Sequence, residues 1–199
     1  MPRNKKKVFE RNGILYDSDE EVYFSMWLDE LKNAAYVHKW SKNKTPIQLT
    51  KPLYNNYTQE IALKTKTKIV QKRQVILQGS EYTYDFDVVW NRKAYGIFYQ
   101  YLGDNERIIC PFIASGKISK PRSWVETKPV FDMQNMTRLF INNRKFLWEQ
   151  KKIYINLVVP QELFADTFTP VEYLKTKTGK NRKINWLITR LNTYIHGRS

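Results

Sequence analysis

A short β-strand is predicted by the sequence Ser123-Trp124-Val125-Glu126-Thr127-Lys128, which Pro129 closes. Because alternate side chains of a strand point to the same face, Glu126 and Lys128 are expected to reach one pocket together. Two other Glu-x-Lys triplets, at 30–32 and 149–151, lie in segments of helical composition and are interpreted as surface charges. Glu126 differs from them because apolar strand residues precede it, although a cross-strand ion pair would explain its position equally well.

A helix and a second strand are predicted after this strand. Residues 131–150 have helix-forming composition, and residues 153–159 are a strongly apolar strand that Pro160 stops. A strand, a helix and a strand in this order predict a right-handed crossover between parallel strands. The candidate core residues of the helix are Met133, Met136, Phe140, Phe146 and Leu147.

An acidic strand and a helix precede the crossover. Residues 83–90 are predicted to form a strand in which Asp85 and Asp87 share one face. Residues 20–32 contain no Gly or Pro and are predicted to form a helix, with Ser18 as a candidate N-cap. Apolar residues recur at helical spacing: Tyr16, Tyr23, Phe24, Trp27, Leu28 and Leu31. Helices that flank a central mixed sheet are therefore expected, in an α/β or α+β domain.

The segment from 38 to 70 is polar and rich in lysine. Residues 46–53 and 74–78 are predicted strands, and the Gly-Ser pair at 79–80 is a predicted turn. Residues 58–67 are compatible with a helix or with a loop, and their composition favours neither.

An aromatic hairpin is predicted between the acidic strand and the Glu-x-Lys strand. Residues 94–102 and 107–113 are expected to pair around a turn at 103–106. Residues 114–122 then form a basic loop. Because the aromatic residues 95, 98, 99 and 101 alternate poorly, both faces of the first strand are expected to be covered, and a homodimer interface is predicted there.

The charge balance points to a polyanionic partner. The chain of 199 residues carries 34 Lys and Arg against 19 Asp and Glu, a formal charge of +15. Such an excess attracts nucleic acid and supports phosphate contacts, although a merely soluble basic protein is the alternative. No apolar run is long enough for a membrane span, and no amphipathic helix with a dense basic face suggests a membrane surface. A lone Cys110 and two distant histidines exclude an intramolecular disulfide and a structural zinc site.

Phosphodiester hydrolysis needs carboxylates that hold divalent cations, an activated water and neutralisation of the charge that develops on phosphate. Mg²⁺ prefers oxygen ligands. A basic chain poor in His and Cys can build such a site from Asp and Glu, and Asp85 and Glu126 lie on strands where that chemistry is accessible.

These motifs resemble the PD-(D/E)XK nuclease superfamily, in which a helix bears Glu, a strand bears Asp and the next strand bears Glu-x-Lys. The nearest resemblance is to small phage nucleases of the Holliday-junction-resolvase kind and to transposon-encoded end-cutting endonucleases. Their Ser-x-x-Glu helix maps onto Ser18 and Glu21, their Asp-Phe strand onto Asp85, and their Glu-x-Lys onto Glu126 and Lys128.

The resemblance covers residues 14–160 and implies a restriction-endonuclease-like fold with a central mixed sheet. Residues 1–13 are then a basic N-terminal arm, 161–199 a basic C-terminal extension with a last helix at 184–195, and about 94–122 an inserted hairpin. Two features depart from the family pattern. Asp85 and Glu126 are 41 positions apart, which is longer than the family usually allows, and Tyr84 replaces the proline that often precedes the motif Asp.

The resemblance also implies roles for the acids and the lysine. Glu21, Asp85 and Glu126 are expected to bind Mg²⁺, for which Mn²⁺ may substitute in nucleases of this kind, and Lys128 to assist the attacking water. Asp87 is an alternative to Asp85, and Glu20 is an alternative to Glu21 because it lies nearer the middle of the apolar face. Both glutamates would also complement the helix N-terminus without any chemistry.

Basic residues near these motifs are candidate nucleic-acid contacts, and each has the alternative of a solvated surface charge. Those of the loop are expected to overhang the site, those of the helix to line its cleft, and those of the C-terminal patch at 175–183 to extend the track. They are Lys117, Lys120, Arg122, Arg138, Arg144, Lys145, Lys180, Arg182 and Lys183.

A Mg²⁺-dependent endonuclease acting on DNA, with branched or structured DNA as the expected substrate, is therefore predicted. The alternatives are a non-catalytic nucleic-acid-binding or structural protein on the same fold, a transposase-type subunit that docks on a partner through its C-terminal tail, and an RNA-processing enzyme. A cytoplasmic location in a bacterial or phage-infected cell is expected, since a lone cysteine is typical of reducing compartments.

Overall fold

The computed structural model describes residues 8–104, 106–116, 119–130 and 137–197, with the backbone alone at 137 and 138. The chain forms two compact units. The core unit combines the chain up to Lys44 with the chain from Tyr84 onward, and the ribbon unit is Thr45–Thr83. Lys117, Met133, Met136 and the side chain of Arg138 lie outside the described residues.

The elements follow one another along the chain as β1 (Phe9–Arg11), β2 (Ile14–Tyr16), α1 (Asp19–Asn33), β3 (Val37–Lys42), β4 (Ile47–Thr50), β5 (Leu53–Ala62), β6 (Thr67–Leu77), β7 (Ser80–Tyr82), β8 (Phe86–Trp90), β9 (Tyr99–Tyr101), β10 (Phe112–Ala114), β11 (Arg122–Thr127), α2 (Thr137–Lys151), β12 (Ile155–Val158), α3 (Pro160–Asp166) and α4 (Leu191–His196), with short 3-10 turns at Arg92–Ala94 and Glu172–Leu174.

The core unit is organised around a four-stranded mixed sheet in the order β12-β11-β8-β3. Strand β8 runs antiparallel to both β3 and β11, whereas β12 runs parallel to β11. Helix α2 connects this parallel pair in sequence, so the predicted strand–helix–strand arrangement is confirmed. The chain is thus a mixed α+β fold, in which α1, β3, β8, β11, α2 and β12 follow one another once the ribbon unit and short elements are set aside.

Helix α1 packs its apolar stripe on this sheet, as its spacing predicted. The Ser18 side chain accepts a hydrogen bond from the Glu21 N–H and caps the helix. Phe24 packs edge-on against Phe86, with ring centroids 5.1 Å apart, and Trp27 stacks on Phe168 at 5.3 Å. Full burial of side chains of this size stabilises a fold by about 1.5–3 kcal/mol each, which makes this aromatic cluster the centre of the core.

The part of the predicted C-terminal extension that the structure describes, residues 161–197, belongs to the core unit. Phe164, Phe168 and Tyr173 are buried in the same hydrophobic cluster as α1. The predicted last helix is shorter than expected and spans only Leu191–His196. The stretch before it is held by tertiary hydrogen bonds instead, since the indole of Trp186 donates to the Thr169 hydroxyl at 3.0 Å.

The predicted aromatic hairpin was wrong in its pairing, because β9 and β10 run parallel, with Tyr99 beside Phe112. The reason is a side chain that the pattern could not reveal. Oε1 of Gln100 accepts the backbone N–H groups of Ile109 and Cys110, at 2.8 and 3.0 Å, and draws the intervening loop back across β9. Phe98 and Tyr99 are buried and Tyr95 is exposed, so the faces of this segment are covered unequally.

The N-terminal arm predicted at 1–13 begins to be structured before its expected end. β1 pairs antiparallel with β2, which places Phe9 opposite Tyr16. Arg11 forms ion pairs with Asp29 of α1 and with Glu172 of the second 3-10 turn, and these tie the hairpin to the rest of the core unit. Residues 1–7 lie outside the described residues.

The ribbon unit, Thr45–Thr83, contains two antiparallel pairs, β4 with β7 and β5 with β6. Residues 58–67 are neither helix nor loop over most of their length, since β5 continues to Ala62 and β6 begins at Thr67. Pairing across the two strands satisfies the backbone groups that the composition left unassigned. Gly79 is required between β6 and β7, because a Cβ there would lie 2.8 Å from the Thr50 carbonyl oxygen.

Among the described residues, no helix combines the length and the apolar composition that crossing a membrane requires.

Candidate active site

The predicted motif residues meet at one end of the central sheet. Because β8 is antiparallel to both β3 and β11, its first residue lies beside the last residues of its two neighbours. Two backbone hydrogen bonds fix Asp85 there: its N–H donates to the Val125 carbonyl at 3.0 Å, and its carbonyl accepts the Asn43 N–H at 2.7 Å. We call this region, with Glu21, Lys42, Asp85, Glu126 and Lys128, the carboxylate cluster.

The Asp85 carboxylate is held firmly in one orientation. Its Oδ2 accepts two hydrogen bonds from Thr127, one from the backbone N–H and one from the hydroxyl, both at 2.7 Å. In the part of the chain that the structure describes, Oδ1 of Asp85 accepts no hydrogen bond. One carboxylate oxygen is therefore used to orient the group, and the other is available to a ligand.

Burial and like charges make this carboxyl hard to ionise. Desolvation is the largest of the causes that together raise the pKa of Asp85 to about 7, and the negative charges of Glu126 and Glu21 act in the same direction. The hydrogen bonds from Thr127 oppose it but are the smaller influence. The three acidic side chains thus lie close enough to repel one another electrostatically, and a nearby cation would lower the pKa of Asp85 again.

Glu126 and Lys128 share a face of the strand end, as alternation predicted. Oε1 of Glu126 lies 2.6 Å from Nζ of Lys128, and Glu126 is only 7% exposed. This ion pair joins Glu126 to a residue two positions further along the chain, just beyond the end of β11. Lys128 is anchored through its backbone N–H, which donates to the Val158 carbonyl at 2.9 Å.

Glu21 is the helix acid that faces the cluster. It is 5% exposed, and its Oε2 lies 2.6 Å from Nζ of Lys42 and accepts the Asp17 N–H at 3.0 Å. Burial is the main cause that raises the pKa values of Tyr23 and Tyr173, and the charge of Glu20 adds to it, so Glu20 lies near these tyrosines. Geometry therefore favours Glu21 over Glu20 as a member of the cluster, although Glu21 also serves the helix N-terminus, because its N–H donates to the Ser18 hydroxyl and its side chain accepts the Asp17 N–H.

Asp87 is not brought to the carboxylate cluster. Its Oδ1 lies 3.2 Å from Nε of Arg122, and the pKa of Asp87 is raised by burial while Arg122 and Lys39 act to lower it. None of the cluster acids contributes to that shift. Asp87 therefore belongs to a basic surface further along the strand and is a weaker candidate ligand than Asp85.

The donor set of the cluster fits a hard divalent cation. Among the described residues no group of three or more His, Cys, Asp and Glu side chains is assembled tightly enough to enclose a metal. Mg²⁺ needs no such enclosure, since it keeps several waters and binds through one or two carboxylates plus phosphate oxygens. Asp85 and Glu126 could supply these two carboxylates, although the Lys42 and Lys128 ammonium groups would compete with a cation for Glu21 and Glu126.

Sequence reasoning missed Lys42, a member of the carboxylate cluster, and Thr127, which orients Asp85 within it. Burial lowers the pKa of Lys42, but hydrogen bonds with Glu21 and Asp17 raise it further, so the ammonium form is stabilised. Lys42 ends β3 opposite Phe86. That placement depends on which strands pair, and the linear pattern contains no signal for it.

A basic pocket lies beside Asp87 on the core unit. It encloses about 370 Å³ and is lined by both predicted loop residues, Lys120 and Arg122, and by two residues that were not predicted, His38 and Lys39. The half-buried indole of Trp124 forms part of its wall. Lys117 belongs to the same loop and lies outside the described residues.

The other predicted basic residues are dispersed. Arg144 lies over the Tyr154 ring at 4.0 Å and lines an apolar groove together with Lys145. Arg182 donates to the Tyr173 carbonyl and packs on that ring, so its role is structural. Lys180 and Lys183 are exposed, and Arg138 is not described beyond its backbone.

Comparison of the chain with protein-family models, with curated proteins and with solved structures finds no match in any of the three.

Proposed function

We propose that this chain is a divalent-metal-dependent DNA endonuclease of the PD-(D/E)XK type, with Asp85, Glu126 and Lys128 at its active centre. The observation that carries the proposal is the convergence of these residues at one end of a mixed sheet, with Glu21 beside them. The element order supports it, because α1, β8 and β11 follow one another as the Glu helix, Asp strand and Glu-x-Lys strand of the resemblance do.

Each residue has a defined task in this proposal. Oδ1 of Asp85 and the carboxylate of Glu126 would hold Mg²⁺, which when bound supplies Lewis-acid activation of the scissile phosphate and of water. Thr127 orients Asp85 through its two hydrogen bonds. The Lys128 ammonium, now 2.6 Å from Glu126, donates toward the attacking water or neutralises charge on the phosphate. Glu21 and Lys42 form a second ion pair that positions the cluster.

The substrate class follows from charge. A formal +15 raises the local concentration of nucleic acid, and the basic pocket with Lys120 and Arg122 offers a backbone contact outside the carboxylate cluster. Branched DNA is the substrate that the resemblance suggests. DNA as the partner and a cytoplasmic site of action are parts of the same proposal.

A second candidate function is nucleic-acid binding without cleavage. It is favoured by one specific observation, the pairing of Glu21 with Lys42 and of Glu126 with Lys128, each at 2.6 Å. Such pairing neutralises both glutamates without a metal, as a purely structural network would.

Cleavage assays separate the two candidates. The full chain is incubated with four-way junction, flap, duplex and single-stranded DNA, with Mg²⁺, with Mn²⁺ and with a chelator. Nuclease function predicts metal-dependent products that Glu126→Gln and Lys128→Met abolish, while both variants retain DNA binding. Binding without any metal-dependent product on all substrates would establish the second candidate.

A further inference from the structure

The ribbon formed by β5 and β6 is exposed along both faces. Ten paired positions run from Leu53 opposite Leu77 to Ala62 opposite Thr67, and nearly all of their side chains are exposed. At about 3.3 Å per residue the ribbon is about 33 Å long. A two-stranded hairpin with both faces in water is marginally stable at best, so a ribbon of this length is better explained by a partner than by core formation.

The two faces of the ribbon differ in charge. Alternation and register place Lys68 and Lys72 on one face, which we call the lysine face, and Lys64 and Lys66 lie at the turn that ends it. The opposite face carries Glu60 and Arg73, and this arginine is stacked on the Tyr54 ring at 3.3 Å. The remaining side chains of the lysine face are uncharged: Asn55, Tyr57, Gln59, Ile61, Val70 and Gln74.

We propose that the lysine face of the ribbon binds duplex DNA along its major groove. That groove is about 12 Å wide and admits a two-stranded β-ribbon, and a ribbon about 33 Å long matches about one helical turn. The lysines would contact phosphates and set the position of the ribbon. The amides of Asn55, Gln59 and Gln74 have the donor and acceptor groups that read base edges.

Charge also argues against a second copy of the chain as the occupant. The ribbon unit has six basic side chains against two acidic ones. Pairing two lysine faces would set like charges against each other, which is destabilising on a sheet. A polyanion instead gains from each lysine through release of its counterions.

The position of the ribbon unit in the chain links it to the carboxylate cluster. The chain enters the unit at Thr45, two residues after Asn43, and leaves it at Thr83, two residues before Asp85. Within the core unit the Asn43 N–H donates to the Asp85 carbonyl. The inference extends the proposed nuclease function by naming the surface that holds the substrate duplex, and a short covalent connection raises the effective concentration of that duplex at the cluster.

Binding is measured by fluorescence anisotropy of a labelled duplex with the full chain, in a chelator and again in Ca²⁺. The first variant, K68Q/K72Q, removes both lysines from the lysine face. The matched control, T67K/K68T/Q71K/K72Q, keeps composition and net charge and moves the two lysines to the opposite face. All changed positions are exposed, so thermal unfolding should be unaltered.

We expect both variants to bind about tenfold more weakly than wild type, and the slope of log K against log salt to fall by about 2 in K68Q/K72Q. Wild-type binding by the face-swapped variant would overturn the inference, because net charge alone would then suffice. Unchanged binding by K68Q/K72Q, preferential competition by double-stranded RNA, or variant-sensitive self-association without DNA binding would each overturn it too. Cleavage tests the nuclease function separately. If wild type cleaves DNA and K68Q/K72Q binds as tightly as wild type, the inference fails and the nuclease function stands. If the chain does not cleave and both variants lose binding, the inference stands and the nuclease function fails.

Discussion

Replacing Asp85 with asparagine should stabilise the folded chain at neutral and alkaline pH. The pKa of Asp85 is raised from 3.8 to about 7 by burial and by Glu126, so its ionised form is less stable in the folded chain than in the unfolded one. A raised acidic pKa means that the folded state binds more protons between these values, and stability is lost as pH rises through that window. The difference between these two pKa values corresponds to about 4 kcal/mol of lost stability at about pH 8 and to under about 1 kcal/mol at about pH 4.

The asparagine side chain can keep the local hydrogen bonds. Its carbonyl oxygen can accept both hydrogen bonds that Thr127 donates to Oδ2 of Asp85. Urea unfolding of wild type and Asp85→Asn, each at about pH 4 and about pH 8 in a chelator, gives the difference directly. Asp87→Asn is the comparison variant: burial also raises the pKa of Asp87, but Arg122 and Lys39 oppose this, so its stability advantage at about pH 8 should be smaller. A variant less stable than wild type at about pH 8, or an advantage that does not change with pH, would refute the electrostatic reasoning.

Four further predictions concern the same network and the core. Activity with Mg²⁺ should rise as pH passes about 7, and the midpoint of the pH–rate profile should move lower as the metal concentration increases, because a cation favours ionised Asp85. Thr127→Val removes the hydroxyl bond to that carboxylate, so the midpoint at fixed metal should move to higher pH, while Thr127→Ser should restore it. Lys42→Met should destabilise the fold by about 3–5 kcal/mol in urea unfolding, since it leaves the buried Glu21 carboxylate without its ion-pair partner, and adding Glu21→Gln should recover most of the loss. Trp27→Ala should lower the free energy of unfolding by about 3–5 kcal/mol without changing the midpoint of the pH–rate profile.

Local sequence patterns were sufficient for the elements whose signals are periodic. The stripe of α1 predicted which face is buried, and alternation placed Glu126 and Lys128 together, because both depend on residues close in sequence. The mixed sheet followed from the same elements, since a strand, a helix and a strand in succession favour a parallel pair.

Long-range pairing accounts for what the sequence could not reveal. The ribbon β5–β6 gains its hydrogen bonds across strands, so residues 58–67 had no local preference. The side chain of Gln100 redirects the chain before β10, and Lys42 reaches Glu21 because β3 lies beside β8. An insertion was expected between Asp85 and Glu126, but the segment that forms a unit of its own is Thr45–Thr83, which precedes Asp85.

The most direct test of the carboxylate cluster compares Asp85→Asn with Asp87→Asn in a single cleavage assay. The two aspartates are only two positions apart, Asp85 just before β8 and Asp87 within it. Asp85 lies with Glu126 and Glu21, whereas Asp87 is paired with Arg122. With Mg²⁺ and a four-way junction, the account predicts that Asp85→Asn abolishes cleavage and keeps binding, while Asp87→Asn retains cleavage. Loss of cleavage in Asp87→Asn with full activity in Asp85→Asn would contradict it.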